Sequence, residues 1–353
     1  MKNTQLYELH QKLGATFGGR HGEWNLAVQF TNPIEEHNAV RNSVGISDIS
    51  FLGTFCLTGE DRATFLHRLI SNDVENLLVG EGNYATLLTN RGKIIADLKV
   101  YIFEDTIYIS TAPECIEQAF AELDKYIIAD DVELSVVSDK VGAIAVYGPE
   151  SPELVESVLG LKELRTLSEY HSLSCEIEDQ WVGCVRSNTV GEFGYHLYTT
   201  TDRLEWLWNK MITAKSDVVP VGWDALESLR IEAGIPRFGA ELSDAIFPLE
   251  AELEHAIDFE KGCYIGQEIV ARMKYRGHPN RLLRGIIIEA EKPIQQNSPI
   301  VDGGKEIGWI TSSVYAPTLK QTIAIGYVRM AYTEKGSRVQ IKSQKDNIYG
   351  TVV

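Results

Sequence analysis

The chain's strongest constraint is an internal echo. Thr54-Phe55-Cys56-Leu57-Thr58-Gly59-Glu60 leads into an apolar-periodic run over 63–70, and Ala143-Ile144-Ala145-Val146-Tyr147-Gly148-Pro149-Glu150 leads into another over 152–159. Each reads as a strand, a glycine-centred turn and a helix. The echo continues: the strand-like run 106–111 precedes an amphipathic helix over 115–123, and 194–199 precedes one over 203–211. Further strands are expected at 84–88, 98–103 and 183–186. Two β-α-β-β-α(-β) copies imply an α+β fold of duplicated ferredoxin-like halves. Such halves leave a cleft at their junction, a favoured place for a ligand. The period is too long and too singular for a solenoid.

The rest of the chain is patterned differently. Trp223 to Gly234 reads as a helix stopped by glycine, with Pro236 just beyond. Short strands at close spacing, around 285–288, 307–312, 322–328 and 338–341, predict a small C-terminal β-barrel. The expected division is a first α+β half over 1–140, a second over 141–215, a helical connector over 216–284 and the barrel over 285–353. Near the N-terminus, Leu6, Leu9 and Leu13 predict a helix ending at Gly14, and a second is expected over 33–41. Gly14-Ala15-Thr16-Phe17-Gly18-Gly19 has no preceding strand and is dismissed as a phosphate loop.

Composition narrows the function. Fifty acids against 33 bases give a formal charge of −17, which argues against general nucleic-acid binding. No apolar run is long enough to span a bilayer, and residues 1–10 resemble neither a secretory nor an import signal. The five scattered cysteines have no Cys-x-x-Cys spacing. A disulfide framework and a preformed metal site are not expected, and a reducing cytoplasm fits.

Three stretches carry candidate chemistry. In Lys261-Gly262-Cys263-Tyr264-Ile265-Gly266-Gln267-Glu268, two glycines bracket a cysteine just before an expected helix, with a lysine two residues away. Both features favour a thiolate; the alternative is a cysteine that packs a glycine-bent loop. Asp97 interrupts an apolar strand entry, where an unpaired charge is costly to bury. It reads either as a carboxylate that orients or protonates a substrate nitrogen or as a strand-edge acid. Glu192, between Gly191 and Phe193-Gly194, reads as an acceptor for a heterocycle's N–H groups or as a polar turn residue. Tyr84 and Tyr101 are placed to flank a flat ring, or simply to pack the strands.

In order and spacing these residues resemble the aminomethyltransferase (glycine cleavage T-protein) superfamily. The resemblance rests on 36–45 with Asp48-Ile49-Ser50, on 92–98, on Gly191 to Gly194, on 229–234, and on Thr311-Ser312 with 316–319. Within it, the octapeptide from Lys261 to Glu268 resembles the YgfZ-type branch. The resemblance implies a three-domain cloverleaf with tetrahydrofolate in a central hole. Asp97 falls on the catalytic aspartate, Glu192 on the glutamate that holds the pterin, and Tyr84 and Tyr101 on aromatic positions of the folate site. Lys261 joins that site and activates Cys263 as a redox or transfer thiol.

The YgfZ branch further implies support for iron–sulfur cluster enzymes, including those of tRNA modification, with iron–sulfur client or assembly proteins as partners. Departures from the T-protein pattern lie at Ala96, Thr111, Thr189 and Leu226. They set the expectation of a folate binder without efficient aminomethyl transfer. A tetrahydrofolate-dependent aminomethyltransferase is the alternative, and a non-catalytic binding module the third reading.

Overall fold

The computed structural model describes residues 1–342 and 347–353. The architecture is mixed α and β and ends in a closed β-barrel.

The first echo unit forms a five-stranded antiparallel sheet. Its order is Gly82–Leu88, Ile94–Ile102, Ile107–Thr111, Gly53–Thr58 and Glu133–Val136. Helices Arg62–His67 and Ile116–Asp124 contribute Phe65, Leu66, Ala119 and Leu123 to its core. The second unit forms the centre of a six-stranded sheet. Its order is Ser172–Ile177, Gln180–Arg186, Gly194–Thr200, Val141–Tyr147, Gly45–Asp48 and Val219–Pro220. Helices Ser151–Leu159 and Leu204–Ala214 pack on it through Leu154, Val155, Leu207 and Trp208.

The two sheets correspond strand for strand except beyond the first strand of each unit. There Glu133–Val136 follows its helix in one, while Gly45–Asp48 enters from earlier in the chain in the other. The strand Ser172–Ile177 was not anticipated from the sequence. Its residues, Ser172-Leu173-Ser174-Cys175-Glu176-Ile177, alternate polar and apolar as a half-buried strand does, so the signal was present.

The sheets meet through a shared apolar cluster that includes Tyr101, Tyr147 and Val185 together with Leu226 and Leu229 of helix Trp223–Glu232. That helix also packs against the barrel strand Lys305–Ala316. The barrel closes in the order Arg281–Ile288, Gln321–Arg329, Lys305–Ala316, Pro299–Asp302, Arg338–Lys342 and Asn347–Val352. Closure leaves no free sheet edge there. The expected mixed fold with a C-terminal barrel is therefore present. Residues 14–19 run into the strand Thr16–His21, in keeping with their dismissal as a phosphate loop.

The octapeptide fixes a crossing. Helix Gln267–Arg276 is preceded by Gly266 at φ +84°, where a Cβ would lie 2.7 Å from the Thr89 carbonyl oxygen and 3.0 Å from Gly92 Cα. Left-handed backbone and this contact together require glycine. Gly266→Ala is expected to cost at least about 2 kcal/mol in urea unfolding. A loss below about 0.5 kcal/mol would show that the loop relaxes around the methyl group.

Candidate active site

A cavity of about 740 Å³ opens where the two sheets, helix Trp223–Glu232, the 233–238 and 251–255 loops and the barrel converge. Its size is that of a site for a cofactor-sized molecule.

One wall comes from the first sheet. Alternation along Ile94–Ile102 turns Asp97 and Lys99 toward the cavity, while Ala96 faces the opposite side and packs in the sheet's own core. Asp97 is 6% exposed. Its Oδ2 accepts from the Tyr84 hydroxyl at 3.2 Å, and its Oδ1 has no hydrogen-bond partner among the described residues. Burial, reinforced by the Asp97 charge, raises the Tyr84 phenol well above its ordinary range, so it stays a donor. Thr111 Oγ1 donates to the Asp97 carbonyl at 2.8 Å and lies 3.0 Å from Cys115 Sγ. Burial and the nearby Asp97 push that thiol up to about 12, so it is inert.

The Tyr84 ring is the middle of a stack. Tyr170 lies 6.0 Å away at 13° and His255 5.6 Å away at 16°, and all three line the cavity. Burial lowers the His255 pKa against the pull of Glu169.

The facing wall comes from the second sheet and its loop. Tyr147 Oη lies 2.6 Å from Thr189 Oγ1 and 2.7 Å from His196 Nε2. The His196 ring is 1% exposed, and its Nδ1 has no partner among the described residues; neither has Asn188 Oδ1. All four residues line the cavity. Buried polar groups left unpaired are costly, so these three unsatisfied atoms mark where a polar ligand would bind.

The third wall holds charge. Arg230 donates to Glu227 (2.8 Å), to Glu241 (2.9 Å) and to Ser312 of the barrel (3.1 Å). Arg237 bonds Glu227 at 3.2 Å and lies 5.6 Å from the Trp223 ring centroid. Burial alone would raise the Glu227 carboxyl, but the two arginines outweigh it and hold it at about 2.

The cavity thus gathers Asp97 and Tyr84 among the residues singled out in the sequence. The others lie elsewhere. Tyr101 is buried between the two sheets, 5.9 Å from the Tyr198 ring, beside a separate small void. Glu192 is ion-paired to Arg41, which also bonds Glu232 at 2.6 Å. Lys261 Nζ donates to the carbonyls of His67, Ile70 (3.0 Å) and Asn72 (2.8 Å), and burial draws its ammonium down to about 8. Cys263 is exposed on the loop and is not among the cavity-lining residues.

His196, Tyr147, Tyr170, His255 and Arg237 were not singled out in the sequence. For His196 the signal was present. It stands within the buried strand Gly194–Thr200, the same interruption that drew attention to Asp97.

The family model for the GCVT N-terminal domain matches residues 6–261, and that for the glycine cleavage T-protein C-terminal barrel domain matches 281–353. The chain belongs to the aminomethyltransferase (glycine cleavage T-protein) family, a tetrahydrofolate-binding fold family. It is 32% identical over 359 residues to the aminomethyltransferase of Halothermothrix orenii, covering 100% of this chain and 99% of that one. It is 31% identical to that of Lysinibacillus sphaericus, covering 97% and 94%. The crystal structure of glycine cleavage system aminomethyltransferase T from Bartonella henselae superposes with a TM-score of 0.91 at 26% identity, covering 99% of this chain and 96% of that one.

These relatives overturn the assignment to the YgfZ-type branch. With it fall the main functional expectation of iron–sulfur enzyme support through a functional thiol, the tRNA-modification link and the iron–sulfur client partners. The octapeptide that carried the assignment is largely accounted for as scaffold. Lys261 ties the loop to backbone carbonyls, Tyr264 is buried, and Gly266 makes the crossing. Among the described residues, no helix is long and apolar enough to cross a membrane.

Proposed function

We propose that the protein is a tetrahydrofolate-dependent aminomethyltransferase that moves a one-carbon unit from an aminomethylated carrier to tetrahydrofolate. One observation carries the reading: a buried carboxylate with an unspent oxygen, Asp97, beside the Tyr170–Tyr84–His255 stack in a cavity of cofactor size. Full-length similarity to aminomethyltransferases supports it.

The lining fits the group. Asp97 Oδ1 and Asn188 Oδ1 are acceptors for amino and ring N–H groups, and the stacked rings offer a flat apolar face. Bound there, tetrahydrofolate supplies the amine nitrogens that accept the one-carbon unit. Asp97, oriented by Tyr84, holds or takes a proton at its free oxygen and stabilises positive charge that develops beside it. Lys99 and the Arg230–Arg237 cluster set the charge around it. Tyr101, Glu192, Lys261 and Cys263 support the scaffold in this reading.

The departures that favoured a non-catalytic folate binder lose their weight. Ala96 points away from the cavity, and Thr111 holds the Asp97 backbone. Thr189 hydrogen-bonds Tyr147, and Leu226 contributes an apolar patch of wall.

Calorimetry with tetrahydrofolate, followed by an assay for methylene-tetrahydrofolate from an aminomethylated carrier protein, tests the proposal. Binding together with product formation is expected. Absence of binding overturns the folate reading, and binding without turnover overturns the transferase reading.

A further inference from the structure

A histidine–carboxylate pair, His21 with Glu114, stands at the cavity wall, and the transferase reading assigns it no work. His21 ends the strand Thr16–His21, and Gly22 (φ +55°) turns the chain into the strand Trp24–Gln29. Its Nδ1 bonds the carboxylate of Glu114, which lies in the turn Pro113–Cys115 after the strand Ile107–Thr111. A carboxylate only accepts, so Nδ1 carries a proton whether the ring is neutral or charged. Any proton that the ring exchanges with a ligand is therefore carried on Nε2. Nε2 has no hydrogen-bond partner among the described residues and, unlike His196 Nδ1, is not closed off from open space. The side chain is only 4% exposed and lines the cavity, so that opening is onto the cavity. Phe51 and Trp223 hold the ring on its other sides, with centroids 5.3 Å and 5.0 Å away.

The pair lies close to Asp97. Beyond burial, the charges of Asp97 and, more weakly, Glu114 raise the Cys115 thiol, which places both carboxylates near one sulfur. A carboxylate-held imidazole with a free nitrogen facing a cavity is the arrangement of an acid–base group. Aminomethyl transfer has two protons to place. Joining the carbon to two amine nitrogens breaks two N–H bonds, while the bonds from that carbon to its own amine and to the carrier break. One proton ends on the departing amine, which leaves as ammonia, and the other on the carrier's leaving atom. Asp97 holds one proton at a time, so a second group is called for. We infer that His21 is a second catalytic residue of the cavity, whose Nε2 takes one of these protons and gives it to the departing amine, with Glu114 as its positioning residue. This inference rests on the transferase reading and names a group that acts on the amine rather than on the heterocycle.

The same contact tethers the N-terminal hairpin to the first sheet, and His21→Gln separates holding from proton transfer. Its amide N–H can still donate to Glu114, but it carries no exchangeable proton. Turnover is expected to fall about 10²- to 10⁴-fold, with tetrahydrofolate affinity by calorimetry within about threefold of wild type. His21→Ala is expected to lose turnover likewise and to regain at least about tenfold of it in added imidazole. A His21→Gln protein that turns over within about threefold of wild type overturns the inference. So does a His21→Ala protein that imidazole leaves unchanged. A wild type that forms no methylene-tetrahydrofolate overturns the transferase reading instead. Independently of activity, ¹⁵N NMR of histidine-labelled protein is expected to place the proton of the neutral His21 ring on Nδ1, and to show mixed tautomers in Glu114→Ala. The wild-type Nε2 signal is expected to move when aminomethylated carrier is added. If the His21 variants do not fold, that spectrum decides: a neutral ring protonated on Nε2, or an Nε2 signal indifferent to the carrier, refutes the assignment.

Discussion

Asp97→Asn is expected to lower the rate of aminomethyl transfer about 10²- to 10⁴-fold, the usual contribution of a positioned acid–base group. The amide matches the carboxylate in shape, so the contact with Tyr84 (3.2 Å) and the backbone bond to Thr111 (2.8 Å) have no steric reason to change. What is lost is the charge and the proton-accepting oxygen. Affinity for tetrahydrofolate should change far less than the rate, because two stacked neighbours and the facing wall remain. Folding stability should hold or rise, since a buried carboxylate with an unpaired oxygen is itself costly. Steady-state kinetics with calorimetry separate the cases. A turnover number within threefold of wild type would remove Asp97 from the chemistry and leave it a structural acid.

Arg230→Met is expected to have the largest effect on folding. Arg230 is 5% exposed and lies between Glu227 and Glu241, while also reaching the Ile235 carbonyl and Ser312. Its removal leaves buried carboxylates without their main partner. Breaking such a cluster costs about 3–5 kcal/mol near neutral pH. The pH dependence identifies the cause. Glu227 has its carboxyl depressed from 4.5 to about 2, after the two arginines outweigh its burial. A depressed acid contributes stability in full above its unfolded value, and that stability is lost as pH falls from 4.5 toward 2. The difference between wild type and Arg230→Met should therefore be large at pH 7 and shrink toward pH 3. An equal loss at both pH values would mean that packing, not charge, accounts for the damage.

How far the sequence reaches can be judged on particular residues. The duplicated halves and the barrel were legible because both rest on local periodicity, and periodicity survives without knowledge of partners. Asp97 was legible for a related reason: an acid inside an apolar strand demands an explanation wherever the strand goes. His196 obeys the same rule and was passed over, because a neutral histidine inside a strand raises less alarm than a carboxylate. Glu192 shows the opposite limit. Its glycine-flanked position suggested a ligand site, yet Arg41 reaches it from a distant helix. No local pattern announces such a long-range ion pair. Lys261 is similar, since the carbonyls that hold it belong to residues 67–72. The octapeptide looked chemical because glycine, lysine and tyrosine cluster there, but a crowded crossing between segments needs the same residues. The branch-level assignment drawn from that one stretch yielded to similarity spread over the whole chain.

The cavity wall includes residues from His21 to Val353. During synthesis the first sheet can form long before the last wall residue leaves the ribosome, since domains fold as they emerge. The binding site exists only after those distant segments have come together. A ligand that recognises it therefore cannot guide the early stages of folding, and it rewards the finished assembly alone. Once bound, it stabilises both sheets, the helix between them and the barrel together, by an amount set by its free concentration relative to its dissociation constant. Cellular levels of the protein would then follow the supply of ligand. Starvation for the ligand would leave the chain more open to proteases, with no change in how fast it is made.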